Sequence, residues 1–427
     1  LPLCREEGSR LQNLCKCAGT SKEPVYEAST KTYIISTPEE LAWISDVADG
    51  TITTGNNMPA DTAFTGCTVE LANDIYLNNP INWRNWETSP PKNEWKPIKQ
   101  FNGTFNGNNH SINGMHINNE SDAALISNGQ LGKYLNLTIA NSYIIGKTAA
   151  SICVQSEIYG VSGLIRIENC TNKSTIKGNS AGGLFGCSYR GVELYNCSNF
   201  GDVYGENNAG GLICYTMGLH AKNCSNFGDV NSNGSAGGIY SSAGTSTINT
   251  CLNNGNIVGK KYVGGIAAYS SVFNGTTTKA TIENCHNNGE VTCATTSGYS
   301  GGIVGILQAC GTIQSCYNSG YIFGNNIGLI AGFATAGVLN TSWHGQNLYI
   351  KDSYSFGDYY KSLYNRDTKY STNYYHISNV GYDYGSATIS SLWGRQSDIN
   401  NGTLYLKSLK DSYITHNVTA VTNTDDY

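Results

Sequence analysis

One stretch of this chain is repeated, and the repeat limits the fold more than any other feature. From Leu194 the sequence reads L-Y-N-C-S-N-F-G-D-V-Y-G, with A-G-G-L from Ala209. From Ala221 it reads A-K-N-C-S-N-F-G-D-V-N, with A-G-G-I from Ala236, and from Ile248 I-N-T-C-L-N-N-G-N-I-V-G, with V-G-G-I from Val263. Cys170, Cys197, Cys224 and Cys251 are each 27 residues apart, and Cys285 and Cys316 follow at spacings of 34 and 31. A fixed period of roughly 20–50 residues marks a stacked-repeat architecture, in which each unit buries its apolar face against the next.

The pattern inside one repeat identifies its type. Side chains on one face of a strand recur every second residue, and Cys197, Asn199, Gly201 and Val203 keep that register. Leu194 lies three residues before Cys197 and breaks it, so a corner is expected at Asn196, a residue type that tolerates the left-handed conformation. The pairs Gly182–Gly183, Gly210–Gly211, Gly237–Gly238, Gly264–Gly265 and Gly301–Gly302 mark a second corner, through positive φ or close backbone approach. Three short strands per coil of about 27 residues, each stacked parallel on the coil before, make an all-β, right-handed parallel β-helix. Helical repeats are excluded, because nothing between residues 100 and 340 carries a stripe with the ~3.6-residue helical period.

Around that body the chain divides into four parts. Residues 1–31 are polar and irregular, an N-terminal extension. Residues 32–100 form an N-terminal cap and entry strands. In them T-Y-I-I-S reads as a strand, and T-P-E-E-L-A-W-I-S-D-V-A as a capping helix over about 38–49. Thr37 is its N-cap, Pro38 its first residue, and Leu41, Ile44, Val47 and Ala48 its apolar stripe. Val69–Leu77 alternates as a half-buried strand pair does, and residues 101–117 read as three short strands separated by Gly/Asn turns. Residues 101–345 hold the β-helix, and 346–427 form a Tyr-rich cap or small β region, since 13 of the 29 tyrosines follow Trp343.

Composition removes several classes. Twenty-nine Tyr, 10 Phe and 6 Trp give the 427-residue chain enough apolar mass to order despite 50 Gly. A net charge of −5 leaves no basic stripe for nucleic acid, and no stretch reaches the ~18 apolar residues that cross a bilayer. The chain opens on Leu1 rather than Met, so an export signal is expected upstream, with an extracellular or cell-surface location and a monomeric state. Six of the 15 cysteines fall at one repeat position and are expected as a buried column of reduced thiols, a free Cys packing as a small hydrophobe. Cys4, Cys15 and Cys17 lie outside the repeats and are expected to pair among themselves.

The A-G-G-L-F-G run at Ala181–Gly186, its relatives, and the N-C-x-N-x-G-x-V-x-G run before each resemble the GLUG-motif repeats of bacterial surface proteins. So does the ordered opening T-P-E-E-L-A-W-I, L-A-N-D-I-Y-L, W-K-P-I, F-N-G-T-F-N-G-N-N-H-S-I-N-G; the resemblance spans about residues 32–340. It implies a secreted or surface-anchored β-helix of the adhesin kind, of a type common in gut Bacteroidetes and Firmicutes. Such repeats also accompany IgA-specific metallopeptidases. No His here is followed by Glu, so the zinc-protease H-E-x-x-H is absent, and the chain can be a repeat or spacer region of such a protein but not its catalytic unit.

Chemistry has one candidate location. Asp202 and Asp229 are equivalent residues one period apart, followed at that position by Asn256, Glu290 and Tyr321. Stacked at ~5 Å, such carboxylates either raise one another's pKa or share a cation, for which calcium is the candidate. The competing reading makes Asp202, Asp229 and Glu290 solvent-facing turn residues fixed by duplication. The seven His are scattered, none at metal-ligand spacing, so no catalytic residue, metal site or other cofactor is assigned. The expected function is therefore non-catalytic binding of a glycan or host surface protein. The rival is a polysaccharide lyase or glycosidase on a pectin-lyase-like scaffold, which would need paired carboxylates, or a Lys/Arg–Tyr pair, in a surface groove.

Overall fold

The computed structural model describes residues 21–156, 163–270, 280–308, 311–334, 348–351, 353–356, 364–366, 375–378, 381–383, 393–396 and 399–409. Contacts divide the chain into two units, Leu1–Glu193 with Cys197–Tyr204, and Leu194–Asn196 with Gly205–Tyr427. Each is built from parallel strands stacked coil on coil, a parallel β-helix. The expected pairing of Cys4, Cys15 and Cys17 lies outside the described residues.

In the first unit an antiparallel hairpin, Val25–Glu27 with Thr32–Ile35, starts the stack. Thr32–Ile35 pairs in parallel with Thr68–Leu71, that strand with Thr104–Asn106, and so on through Lys133–Leu135 to Ile165–Glu168. The inward column therefore reads Tyr33, Val69, Phe105, Tyr134, Ile167. Aromatic rings fill these first coils: Tyr33 meets Phe64 edge-on at 5.4 Å, and Phe101 lies 6.1 Å from Phe105 and 6.3 Å from Tyr134. The expected strand pair over Val69–Leu77 is Thr68–Leu71 and Ile75–Tyr76, and the three strands after Phe101 are Thr104–Asn106, Ser111–Asn113 and His116–Asn118.

The helix runs Pro38–Ala48. Thr37 Oγ1 accepts from the Glu40 amide at 3.4 Å, and the Glu40 carboxylate accepts from the Ser36 amide at 2.7 Å, a close relative of the reciprocal capping box. Leu41, Ile44, Val47 and Ala48 are buried as the stripe predicts, and Ser45 donates to the Lys96 carbonyl at 2.8 Å. The helix thereby ties Thr32–Ile35 to the strand Ile98–Gln100.

The second unit shows the repeat most regularly. Ala221, Ile248, Ile282, Ile313 and Ile350 pair in register, and so do Ser225, Leu252, His286, Tyr317 and Tyr354. Between these ladders the amides of Leu252, His286, Tyr317 and Tyr354 donate to the carbonyls of Cys224, Cys251, Cys285 and Cys316. The cysteines therefore form the expected buried column, continued by Ser353, whose hydroxyl accepts from the Cys316 amide at 3.2 Å. All eleven described cysteines carry free thiols. In the first unit the same step joins Cys170 and Cys197 through a bond from the Ser198 amide to the Cys170 carbonyl at 3.0 Å.

The corner before each cysteine is left-handed, as expected: φ is 53° at Asn196, 56° at Asn223, 54° at Thr250, 52° at Asn284 and 52° at Ser315. The Gly-Gly corner has a different cause from positive φ, which none of its glycines shows. A Cβ on Gly265 would stand 2.2 Å from Asn287 Cγ and 2.2 Å from the Gly302 carbonyl oxygen. On Gly302 it would stand 2.5 Å from Asn318 Cγ. The second glycine of each pair is required by close approach to a row of buried asparagines, and the first by the carbonyl three residues on, such as Ala267 for Gly264 and Val304 for Gly301.

That row is the second internal column. Asn226 Nδ2 donates to Asn253 Oδ1, Asn253 to Asn287, and Asn287 to Asn318, each at 2.8 Å, and Asn318 ends on Ser355 Oγ at 3.2 Å. Each second N–H donates to the carbonyl two residues on, at Gly228, Gly255, Gly289 and Gly320. In the first unit Asn172 and Asn199 repeat the pattern at 2.7 Å. A buried amide costs little when its hydrogen bonds are made, and Asn226, Asn253, Asn287 and Asn318 each donate both of their protons.

Parallel pairing continues beyond residue 345, through Leu348–Lys351 to Tyr375–Ser378 and through Tyr354–Phe356 to Gly381–Asp383. The antiparallel hairpin Trp393–Gln396 with Ile399–Leu406 then lies along the side of earlier coils of the second unit. Trp393, Leu404, Leu406 and Leu409 pack on Leu252 and Tyr317, with Phe227 and Tyr354 at the margin.

Candidate functional site

With the core columns assigned, any site must lie on the outward residues. The acidic column divides between the units. Asp202, partly buried in the first unit, offers its backbone carbonyl to the Ile176 amide at 3.0 Å. In the second unit Asp229 and Glu290 are exposed, with Asn256 in the coil between them. The Asp229 carboxylate accepts from the Asn256 amide at 2.9 Å, and Asn256 Oδ1 accepts from the Glu290 amide at 3.2 Å. Glu290 Oε1 accepts from Thr292 Oγ1 at 3.1 Å. Asp229 and Glu290 thus stand two coils apart, ~10 Å at sheet spacing, each tied to local polar groups. Among the described residues no group of three or more His, Cys, Asp or Glu is gathered as a metal-ligand set.

A pocket of about 420 Å³ opens in the first unit beside the helix, walled by Glu39, Asp46, Lys92, Glu94, Trp95 and Lys96. Its charged groups are largely engaged: Lys96 pairs with Asp46 at 3.4 Å and also with Asp49, while Glu94 accepts from the Asn118 amide at 2.6 Å. The indole of Trp95 donates to the Leu125 carbonyl at 3.2 Å and is held as wall.

The outer surface is instead marked by aromatic rings backed by cations. In the first unit Lys177 Nζ sits 5.3 Å from the ring centroid of exposed Tyr204 and 5.2 Å from that of buried Tyr143, and pairs with both Glu87 oxygens at 2.8 Å. The pairing holds the Glu87 carboxyl below its ordinary pKa. Lys173 Nζ stands 5.8 Å from Phe200, a ring 44% exposed. In the second unit Tyr321 and Phe323 are 63% and 50% exposed on and beside the strand Ile322–Phe323. The F-G step of the repeat gives Phe200 its position, so periodicity alone places it on the outside, whereas Lys177 and Glu87 are 90 residues apart and no local pattern connects them.

His286 belongs to neither surface. It is fully buried, with Nε2 2.8 Å from Ser319 Oγ and its ring 5.2 Å from Tyr317 and 5.6 Å from Trp393. Burial pushes its pKa down to about 3, so the imidazole is neutral packing under the C-terminal hairpin.

No family model matches the chain, and no curated protein matches it. Among solved structures it is similar to one described as a putative immunoglobulin A1 protease from Bacteroides ovatus. The likeness covers 91% of this chain and 96% of that one, at 15% identity and a TM-score of 0.47. A similarity at that level speaks to neither activity nor partner. The structure gives the repeated residues a physical meaning: the N-C-x-N-x-G block and the second glycine of the Gly-Gly corner are the two sides of one asparagine ladder. Among the described residues no helix is long and apolar enough to cross a membrane.

Proposed function

We propose that this chain is a non-catalytic, secreted or cell-surface β-helix that binds glycans through its outward aromatic rings, in the manner of an adhesin. The observation that carries the reading is the exposure of Phe200, Tyr321 and Phe323 on a scaffold packed from within by its own cysteine and asparagine columns. Rings left in water contribute nothing to such a core, whereas the flat C–H face of a sugar can cover them, with neighbouring cations and amides meeting its hydroxyls. The acidic column supports binding rather than catalysis in this reading, because its carboxylates accept from backbone amides and an asparagine separates Asp229 from Glu290.

Incubation with a panel of immobilised polysaccharides tests this. We expect retention of the intact chain on at least one polymer without release of reducing or unsaturated ends. Release of such ends would establish the lyase or glycosidase reading, and failure to bind any glycan would leave a spacer. The reading needs no cofactor, so EDTA is expected to leave retention unchanged; loss of binding that calcium restores would return the acidic column to a cation site.

A further inference from the structure

A second aromatic surface flanks the Gly264–Gly265 corner and continues on the next coils, and its chemistry is more specific. Tyr262 and Tyr299 are register partners on adjacent coils, each two residues before a glycine pair, in K-Y-V-G-G and G-Y-S-G-G. Tyr262 stacks on Tyr269 with centroids 5.6 Å apart and planes 23° apart. Tyr299 meets Phe333, one coil further on, at 4.9 Å and 35°. All four rings are partly exposed, and the Tyr269 hydroxyl is fixed by a 2.9 Å bond to Gln308 Oε1. The result is a shelf of rings that climbs the unit with the coils, at ~4.8 Å per step.

Two cations stand beside the shelf, and the nearby Glu206 carboxylate is engaged by Asn233 Nδ2 at 2.8 Å. Lys260 and Lys261 are exposed, Lys261 Nζ lies 4.9 Å from the Tyr262 ring, and neither lysine pairs with a carboxylate among the described residues. Both backbone amides donate to the Gly234 carbonyl at 2.9 Å, which fixes where the two side chains leave the coil. In a chain of net charge −5, two adjacent cations without acid partners, set against stacked tyrosines, complement an anionic ligand with flat apolar faces.

We propose that Tyr262, Tyr269, Tyr299 and Phe333, with Lys260 and Lys261, form a binding site for an acidic, uronate-bearing glycan strand. Pyranose C–H faces stack on the rings, and sugar carboxylates meet the two ammonium groups. A polymer of repeating units suits a shelf that repeats by coil, whereas an acidic peptide would need separate pockets for dissimilar side chains. The inference rests on the glycan-binding reading above and adds to it the ligand class and the place.

The test uses the full chain with polygalacturonate as the probe, and fully methyl-esterified polygalacturonate and polyglutamate as comparisons. The charged polysaccharide is expected to bind, the ester about tenfold more weakly or worse, and polyglutamate to bind weakly. Lys260→Ala with Lys261→Ala, and separately Tyr262→Ala with Tyr299→Ala, are each expected to lower the affinity about tenfold or more while leaving the β-sheet circular dichroism unchanged. Equal binding of acid and ester, or no effect of the lysine pair, overturns the acidic-glycan inference while sparing the broader reading. Polyglutamate binding as tight as polygalacturonate overturns it in favour of charge alone. If no polysaccharide binds the wild-type chain, both fall.

Discussion

At the scale of single residues the molecule turns on amides and thiols that face inward. Asn253 donates to Asn287 and to the Gly255 carbonyl and accepts from Asn226. Asn253→Ala leaves buried groups on both neighbouring coils without partners, and we expect a loss of about 3 kcal/mol, read from the urea midpoint. The thiols offer a second check. Burial pushes Cys153 and Cys170 up to about 12 and holds Cys251 and Cys285 well above the ordinary thiol value. Iodoacetamide at pH 8 should therefore spare these four cysteines in the native protein and modify all of them in denaturant; rapid native labelling of Cys251 would contradict the buried column. The cysteine column could be read from its 27-residue spacing. The asparagine ladder could have been read from the same evidence, since Asn follows each cysteine by two at Asn172, Asn199, Asn226, Asn253, Asn287 and Asn318. It is obscured because an amide is by habit assigned to the surface, and only the neighbouring coil supplies the partner that makes burial tolerable.

At the scale of elements, local signals were legible and distant ones were not. The T-P-E-E start of the helix and the left-handed corner at Asn196 are written within a few residues of where they act. The Gly-Gly corner was legible as a corner but not in its cause, because the atom that forbids a side chain on Gly265 belongs to Asn287, 22 residues on. Gly265→Ala is expected to cost more stability than the ~1 kcal/mol of a typical substitution, because one obstructing group, Asn287, is held by the ladder and the other, the Gly302 carbonyl, is backbone of the next coil; a midpoint within error of wild type would show that the corner can relax. The C-terminal hairpin was invisible to any local pattern, since Trp393 meets His286 and Tyr317 from far along the chain. His286 is neutral when folded, with a pKa of about 3 against an ordinary 6.5. The unfolded chain therefore takes up a proton first as the pH falls. The stability contributed by the neutral ring is full above about 6.5 and is lost between 6.5 and 3, at up to about 1.4 kcal/mol per pH unit. Urea midpoints followed by Trp fluorescence should drop less steeply from pH 6.5 to 4 in His286→Gln than in wild type; identical slopes would contradict the buried neutral imidazole.

At the scale of the whole molecule, the functional reading depends on the coil register, because register alone brings Tyr262 beside Tyr299 and sets Asn256 between Asp229 and Glu290. Repetition made that register legible, while the ligand class rests on side chains, such as Lys261 and Phe333, that differ from coil to coil and carry no period. The most direct measurement places spin-label pairs on one outward column of the second unit, where Lys222, Asn249, Glu283, Gln314 and Lys351 are successive register partners. Labels at Lys222→Cys and Lys351→Cys should report a narrow distribution consistent with four coil steps, about 19 Å of backbone separation. Labels at Lys222→Cys and Glu283→Cys should report half of that separation. A broad distribution, or a distance for the longer pair that is not about twice the shorter, would contradict the stacked register and the surfaces built on it.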